Sequence, residues 1–194
     1  MKTSDCDILI LPSLGGPDGE IWLSRWERQL SSARIVAQAD WARPEAGAWA
    51  SSLHEAAGAA TRPVVLVGHG LGSLTVAHAA AQARDGKNGE RTLERVAGAF
   101  LVAAPDIEDD SAPAAMRGFG PMPRARLPFA TLLVASRNDP HCAFERAEEL
   151  AGSWGAELVD AGESAHLDTA AGFGPWPEGL LRFAGFLKTL PATQ

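Results

Sequence analysis

The chain has 194 residues, of which 46% are hydrophobic, and a formal net charge of −7. This suits one folded domain over residues 1–194 and excludes an intrinsically disordered chain. The acidic balance argues against nucleic acid and against an anionic membrane surface as partners, since both need clustered Lys and Arg.

Targeting features and cysteine usage favour a soluble cytoplasmic protein. Met1–Pro12 is too short and too acidic for a signal peptide, and no apolar stretch approaches membrane-spanning length. The two cysteines, Cys6 and Cys142, make no disulfide framework, so we expect reduced thiols.

Strands and helices alternate along the chain. Short apolar β-type runs predict strands, and apolar residues at helical spacing predict helices. In chain order these are a strand (Cys6–Leu11), a helix (Ile21–Leu30), a weaker strand (Arg34–Ala37), a helix (Glu45–Ala60), a strand (Val64–Val67), a helix (Leu71–Ala83), two strands (Val96–Val102 and Leu132–Ala135), a helix (Phe144–Trp154), a short strand (Glu157–Val159) and a helix (Pro177–Leu190). This order predicts an α/β fold, a three-layer sandwich with a mainly parallel central sheet.

The most informative segment joins the strand Val64–Val67 to the helix after it. The strand is apolar at every residue, which fits a central strand buried on both faces. It runs directly into Gly68-His69-Gly70-Leu71-Gly72. A nucleophile elbow requires this strand–turn–helix context, in which glycines let the strand and the helix approach closely. The residue that would carry the nucleophile is Gly70, which has no side chain. A phosphate-binding glycine turn is the alternative, but neither the dinucleotide spacing nor a P-loop lysine is present.

Two other predicted strands are followed by polar residues in a suggestive order. Asp139 comes just after the strand Leu132–Ala135, and His166 lies on a loop after the last strand. Nucleophile position, acid and histidine then follow the chain order of α/β hydrolases, all at carboxyl ends of strands. Taken singly, Asp139 is a turn former before a proline and His166 an exposed loop histidine. Their joint order favours one shared site.

Several short motifs occur together over nearly the whole chain. They are Leu11-Pro12 before a glycine-rich loop, Trp22-x-x-x-Trp26-Glu27, Asp40-Trp41 before Pro44, the turn at 68–72, Ala103–Asp106, Ser136–Cys142, Phe144–Ala147 and Gly172–Gly179. This combination resembles the YdeN-type small serine hydrolases, the group that includes retinoblastoma-binding protein nine. The resemblance implies an α/β-hydrolase domain with a Ser-Asp-His triad and esterase-type activity on small acyl substrates.

The resemblance also implies roles for individual residues. Asp139 and His166 match the acid and the base, whereas Gly70 stands where the family has its serine. The backbone N–H groups of Leu71 and Leu14 would form the oxyanion hole. One departure is that an alanine precedes the histidine, where the family usually has a glycine. Binding of the retinoblastoma protein by one member does not carry over, because neither cysteine lies in a Leu-x-Cys-x-Glu motif.

Four further residues are candidates for substrate binding, namely Ser13, His69, His141 and Trp176. Ser13 lies in the expected oxyanion loop, and His141 neighbours the candidate acid. For His69 the alternative is sideways packing within the turn. Trp176 follows His166 closely in sequence, and we expect it to form a wall of the pocket. No pair of histidines has a metal-ligand spacing supported by a carboxylate, so we expect no metal and no other cofactor.

The irregular segment Pro105–Pro128 is long for a loop inside a compact domain, and it follows a predicted strand. Such a loop is usually functional or mobile, and we expect it to lie over or beside the site. It carries Arg117, Arg124 and Arg126, which either favour an acidic substrate or form a solvated basic face.

The missing serine leaves three explanations open. Loss of this serine alone typically costs ~10⁶ in kcat. In the first, this chain is an active hydrolase whose serine was replaced deliberately. In the second, it is a natural non-catalytic protein that binds a small acyl molecule. In the third, another group acts as the nucleophile. Candidate substitutes are Ser73, Ser13, Cys142 and a water activated by His166. The expected partner is a small-molecule ester or acyl compound, and the sequence does not specify an oligomeric state.

Overall fold

A computed structural model describes residues 1–86 and 90–191 of the chain. The strands in these ranges are β1 (Asp7–Leu11), β2 (Ala33–Ile35), β3 (Val64–His69), β4 (Val96–Val102), β5 (Ala130–Ala135) and β6 (Glu157–Asp160). The α-helices are α1 (Trp22–Gln29), α2 (Ala46–Gly58), α3 (Leu71–Arg84), α4 (Phe144–Trp154) and α5 (Pro177–Thr189). Short 3₁₀ helices cover Thr3–Asp5, Glu90–Leu93 and Ala114–Phe119.

The strands form one sheet in the order β2-β1-β3-β4-β5-β6, and every neighbouring pair is parallel. Successive side chains of a strand point to opposite faces, so each strand feeds two apolar layers. On one face Leu9 and Leu66 pack with residues of α2, α3 and α4. On the other face Ile8 and Val65 pack with residues of α1 and α5. The helices thus cover the sheet on both sides, and the predicted α/β fold is confirmed.

The predicted elements differ from the observed ones mainly at their ends. The sheet is parallel throughout the described residues, whereas the sequence predicts a mainly parallel one. β2 lies at Ala33–Ile35, one residue earlier and shorter than predicted, and β5 begins two residues earlier, at Ala130. The 3₁₀ helix Ala114–Phe119 lies inside a segment predicted to be irregular; its buried Met116 and Phe119 are a local anchor that the proline-rich pattern concealed.

The sheet order determines where a site can form. From β1 the chain crosses to β2 on one side, and β3 then pairs with the other side of β1. The crevice at the carboxyl ends of β1 and β3 is therefore a topological switch point, where open α/β sheets bind ligands. Leu11 at the end of β1 is in register with Gly68 of β3.

In the described part of the chain, no helix has the length and apolarity needed to cross a membrane.

Candidate active site

The turn between β3 and α3 brings Gly70 to the centre of this crevice. Gly70 has φ 54° and ψ −124°, a positive-φ conformation that glycine adopts without the strain of a Cβ. Its N–H donates to the carbonyl of Val102 at 3.0 Å. A Cβ on Gly72 would overlap the carbonyl of Leu11, so the helix approaches β1 more closely than any other residue type would permit.

An aspartate and a histidine converge on the same end of the sheet. Asp139 follows β5 and His166 follows β6, and their side chains are only 3% and 9% exposed. His166 Nδ1 lies 3.0 Å from each carboxylate oxygen of Asp139. A carboxylate at Nδ1 favours the tautomer with the proton on that nitrogen, which leaves Nε2 as a proton acceptor. Nε2 lies 3.3 Å from the point that a Cβ on Gly70 would occupy.

The backbone around His166 is strained. Ala165 and Leu167, the residues on either side, have φ of 43° and 53°. Non-glycine residues in this region cost about 1–3 kcal/mol each and persist only when the surroundings hold them there. Such strain on both sides of one histidine indicates that its placement is constrained by other contacts.

Three side chains hold this strained turn. The ring Nε2 of His69 lies 2.9 Å from the His166 carbonyl, and Trp22 Nε1–H donates to the Leu167 carbonyl at 3.0 Å. From the acid loop, Asn138 Oδ1 accepts the N–H of Ala165 at 2.7 Å. The first two contacts are buried, so breaking either would leave a polar group without water. Trp22 and Asn138 therefore position the histidine. Both residues lie in motifs of the family resemblance, Trp22-x-x-x-Trp26-Glu27 and Ser136–Cys142, but neither motif assigned them this role.

His69 is a predicted substrate-binding residue, and the structure gives it a different environment. Its side chain is 2% exposed, and its Nε2 is bonded to the His166 backbone, so this nitrogen holds the histidine turn. Burial lowers the pKa of His69 to about 4, with a smaller contribution from the neighbouring His166. The ring is therefore neutral near pH 7, and its Nε2–H donates to the carbonyl.

The low pKa of His69 makes stability depend on pH. In the unfolded chain the His69 ring is protonated near pH 6.5, whereas in the folded protein it is protonated only near pH 4. The free energy of unfolding is thus highest above pH 6.5 and falls as pH drops towards 4, by up to about 1.4 kcal/mol per pH unit for one proton. In His69→Gln, whose amide can still donate to the carbonyl, we expect a shallower fall.

Urea unfolding at a series of pH values between 7 and 4 measures this dependence for both proteins. A slope remains in the variant, because burial also lowers the pKa of His54, His78 and His141. Parallel curves for the parent and His69→Gln would contradict the buried, neutral state of this ring.

Ser13 occupies the space beside Gly70. A Cβ on Gly70 would overlap Ser13 Oγ and would lie 2.7 Å from Ser13 Cβ. The backbone N–H of Leu71 donates to Ser13 Oγ at 3.1 Å. Leu71 N–H is a predicted oxyanion-hole donor, and in the structure it is engaged by this hydroxyl. Leu14, the other predicted donor, lies in the same loop.

A cavity of 360 Å³ opens in front of these groups. Among the residues lining it are Ser13, Leu14, His69, Met116, His141 and His166. His141 sits edge-on to His166 with 4.7 Å between ring centroids, and its pKa is lowered by burial and by His166. Met116 belongs to the segment Pro105–Pro128, so this segment lies beside the site. The cavity is of a size that suits a small ligand.

The charged residues at the site do not favour an acidic substrate. Two aspartates, Asp18 and Asp168, line the cavity, and among its described lining residues there is no lysine or arginine. Arg124 forms an ion pair with Glu108, and Arg126 lies against Gly155. Of the two interpretations of the arginines in the segment Pro105–Pro128, the structure therefore favours the solvated face.

Trp176, also a predicted substrate-binding residue, lies outside this cavity. Its ring is 6% exposed and packs against Trp22 and Trp26, with centroids 5.0 and 6.4 Å away. It caps the start of α5 within the apolar layer between the sheet and helices α1 and α5. Trp176 follows His166 closely in sequence, but its ring packs against α1 and does not line the cavity.

Comparisons with known proteins match the chain to hydrolases. A family model described as serine hydrolase matches residues 8–185. The chain is 32% identical to a protein described as a YdeN-like hydrolase from Pectobacterium atrosepticum, with a TM-score of 0.82 over 97% of this chain and 95% of that one. No curated protein matches the chain.

Two more distant structures share the fold. The ydeN gene product of B. subtilis is 15% identical, with a TM-score of 0.71 over 94% of this chain and 99% of that one. An esterase from Thermogutta terrifontis, solved with butyrate bound, is 16% identical, with a TM-score of 0.62 over 96% and 84%. These matches confirm the predicted α/β-hydrolase fold and the resemblance to YdeN-like hydrolases.

Proposed function

The chain belongs to the serine hydrolase family, and on that premise we propose that it hydrolyses esters of small carboxylic acids at the Asp139–His166 pair. One observation carries the proposal. His166 presents Nε2 to the space at Gly70, with Nδ1 on a buried carboxylate 3.0 Å away. Two strained residues flank His166, and backbone strain of this kind clusters at active sites.

The pair supplies a general base and then a general acid. His166 Nε2 accepts the proton of the attacking hydroxyl and later returns it to the leaving alcohol. Asp139 holds the ring in orientation and stabilises the imidazolium that forms. Because both side chains are largely buried, the charge interaction between them is stronger than it would be in water.

The cavity supports small, uncharged acyl groups. Its volume of 360 Å³ accommodates a short acyl chain and a leaving group. Apolar side chains such as Leu14 and Met116 line it, and its two aspartates disfavour carboxylate-bearing substrates. The butyrate bound to the Thermogutta esterase carries a short acyl chain of the kind proposed here.

A second candidate function is binding without turnover. Gly70 favours it, because the elbow that carries the serine in this family has no nucleophile here. On this interpretation the cavity retains a small acyl ligand, and the Asp139–His166 pair serves only as a polar wall.

Hydrolysis of p-nitrophenyl acetate, butyrate and octanoate by the parent and by Asp139→Asn separates the two functions. Asparagine keeps the shape of the side chain but favours the wrong histidine tautomer. We therefore expect kcat/KM for acetate and butyrate to fall by roughly 10³–10⁴-fold. Asp110→Asn, an exposed position in the segment Pro105–Pro128, is the matched control and should behave like the parent. Equal rates for the parent and Asp139→Asn would instead support binding without turnover.

A further inference from the structure

We propose that Ser13 is the nucleophile of this site and attacks the ester carbonyl from the loop after β1. The proposal rests on the proposed esterase function and names the group that His166 activates. In it the nucleophile has moved from the end of β3 to the end of the neighbouring strand, and Gly70 is the residue that makes room for it.

The register of the sheet places Ser13 opposite Gly70. Leu11 pairs with Gly68 between the parallel strands β1 and β3. Two residues beyond each of these partners lie Ser13 and Gly70, side by side at the carboxyl edge. Strand pairing thus brings both residues to the same edge of the sheet.

A tight turn fixes the direction of Ser13. The N–H of Gly16 donates to the Ser13 carbonyl at 3.0 Å, and Gly15 and Gly16 have φ of 83° and 81°. The N–H of Gly15 also donates to the carbonyl of Trp41 at 3.0 Å. Ser13 thus stands at the first position of a turn that is tied to the body of the protein, as a preorganised nucleophile requires.

The Ser13 hydroxyl lies where an elbow serine would begin. A Cβ on Gly70 would overlap Ser13 Oγ, and the same point lies 3.3 Å from His166 Nε2. The hydroxyl and the base therefore converge on one small region. No hydrogen bond joins these two groups in the structure, and nucleophile–base contacts commonly tighten only when substrate binds.

The backbone N–H of Leu71 favours ionisation of this hydroxyl. It donates to Ser13 Oγ at 3.1 Å from the N-terminus of α3, where the helix dipole is positive. A hydrogen bond to the oxygen stabilises the negative charge that develops as the proton leaves. Once Oγ has become an ester oxygen, the same N–H can turn to the substrate oxyanion.

The two other side-chain candidates, Ser73 and Cys142, are unsuited to the role. Ser73 is fully buried, and its hydroxyl donates to the carbonyl of Val102 at 3.1 Å. Burial raises the pKa of the Cys142 thiol to about 12, so almost none of it is thiolate at neutral pH. The three atoms nearest the point that a Cβ on Gly70 would occupy belong to Ser13 and His166.

The proposed reaction has two half-reactions. Ser13 Oγ forms a bond to the carbonyl carbon as its proton passes to His166 Nε2. The ester C–O bond then breaks, and the same proton goes to the leaving alkoxide, which departs as the alcohol. Water attacks the acyl-Ser13 ester, and its proton goes to His166 Nε2. The bond from the acyl carbon to Ser13 Oγ then breaks, the acid is released, and the proton on His166 returns to Oγ to restore the hydroxyl. The sum is ester plus water giving acid plus alcohol.

Ser13→Ala tests the proposal, with Ser31→Ala as the matched control on an exposed turn before β2. We expect Ser13→Ala to lower kcat for p-nitrophenyl acetate by at least about 10³-fold and Ser31→Ala to leave it unchanged. Urea unfolding of both variants checks that the fold is intact. Labelling of the parent with a fluorophosphonate probe, followed by peptide mass spectrometry, is the second readout and should place the adduct on Ser13.

The outcomes distinguish this proposal from the proposed function. If Ser13→Ala hydrolyses ester at the parent rate while Asp139→Asn does not, the esterase function stands and the Ser13 assignment is overturned. An adduct on any other residue overturns it as well. If the parent itself does not exceed Asp139→Asn, the proposed function fails, and no nucleophile is needed.

Discussion

Replacement of His166 by glutamine is expected to abolish ester hydrolysis, with a fall in kcat of about 10⁵–10⁶-fold if the parent works by a covalent mechanism. Glutamine keeps a polar side chain of similar reach, but it cannot accept and return a proton near neutral pH. The loss should exceed that of Asp139→Asn, because in the proposed mechanism the aspartate orients the base whereas the histidine is the base itself.

The control for this change is His78→Gln on α3. The ring Nε2 of His78 lies 2.7 Å from the carbonyl of Phe119, and a glutamine amide can replace that contact. His78 does not line the cavity beside His166. Steady-state hydrolysis of p-nitrophenyl butyrate measures all three proteins. Equal activity in the parent and His166→Gln would remove the basis for any role of this pair.

Replacement of Gly70 by serine is expected to destabilise the protein. The backbone at Gly70 has φ 54°, and a residue with a Cβ there costs about 1–3 kcal/mol. The new Cβ would also overlap Ser13 Oγ and crowd Ser13 Cβ at 2.7 Å, so the loop after β1 must shift. Gly70→Ser alone is therefore expected to restore little activity, since two serines compete for one space.

The double variant that combines Ser13→Gly with Gly70→Ser is expected to recover both stability and esterase activity. The double variant removes the overlap and returns the hydroxyl to the elbow, in front of His166 Nε2. It should therefore be more stable than Gly70→Ser and should hydrolyse esters orders of magnitude faster than Ser13→Gly alone. Coupling between contacting residues typically amounts to about 0.5–3 kcal/mol.

Urea unfolding and ester hydrolysis of the four proteins in this cycle measure the coupling. If the change in the free energy of unfolding of the double variant equals the sum of the changes in the two single variants, the two positions do not share a space. An inactive double variant that folds normally would show that the cavity no longer aligns substrate with the histidine.

The sequence was sufficient for the scaffold because its signals are local. Apolar runs and glycines marked β3 and its turn, and the chain order of Asp139 and His166 placed both residues at carboxyl strand ends. The ends of β2 and β5 were less certain, since edge and half-buried residues carry a weaker pattern.

Contacts across the fold could not be predicted in the same way. The overlap of Ser13 with the space at Gly70 depends on the register of β1 with β3. The positions of His69 and Trp176 depend on which buried neighbours complete their packing and hydrogen bonds. Trp22 holds the histidine turn across 145 residues of sequence, a separation at which no local pattern carries information.

A crystal structure of the parent after reaction with a small organophosphate ester tests the central claim most directly, namely that Ser13 acts in place of the residue missing at Gly70. The expected result is a phosphoryl group bonded to Ser13 Oγ, with one oxygen near Leu71 N–H and His166 Nε2 beside it. An unmodified Ser13 in a protein whose cavity holds the intact ester, or a phosphoryl group on another residue, would contradict the claim.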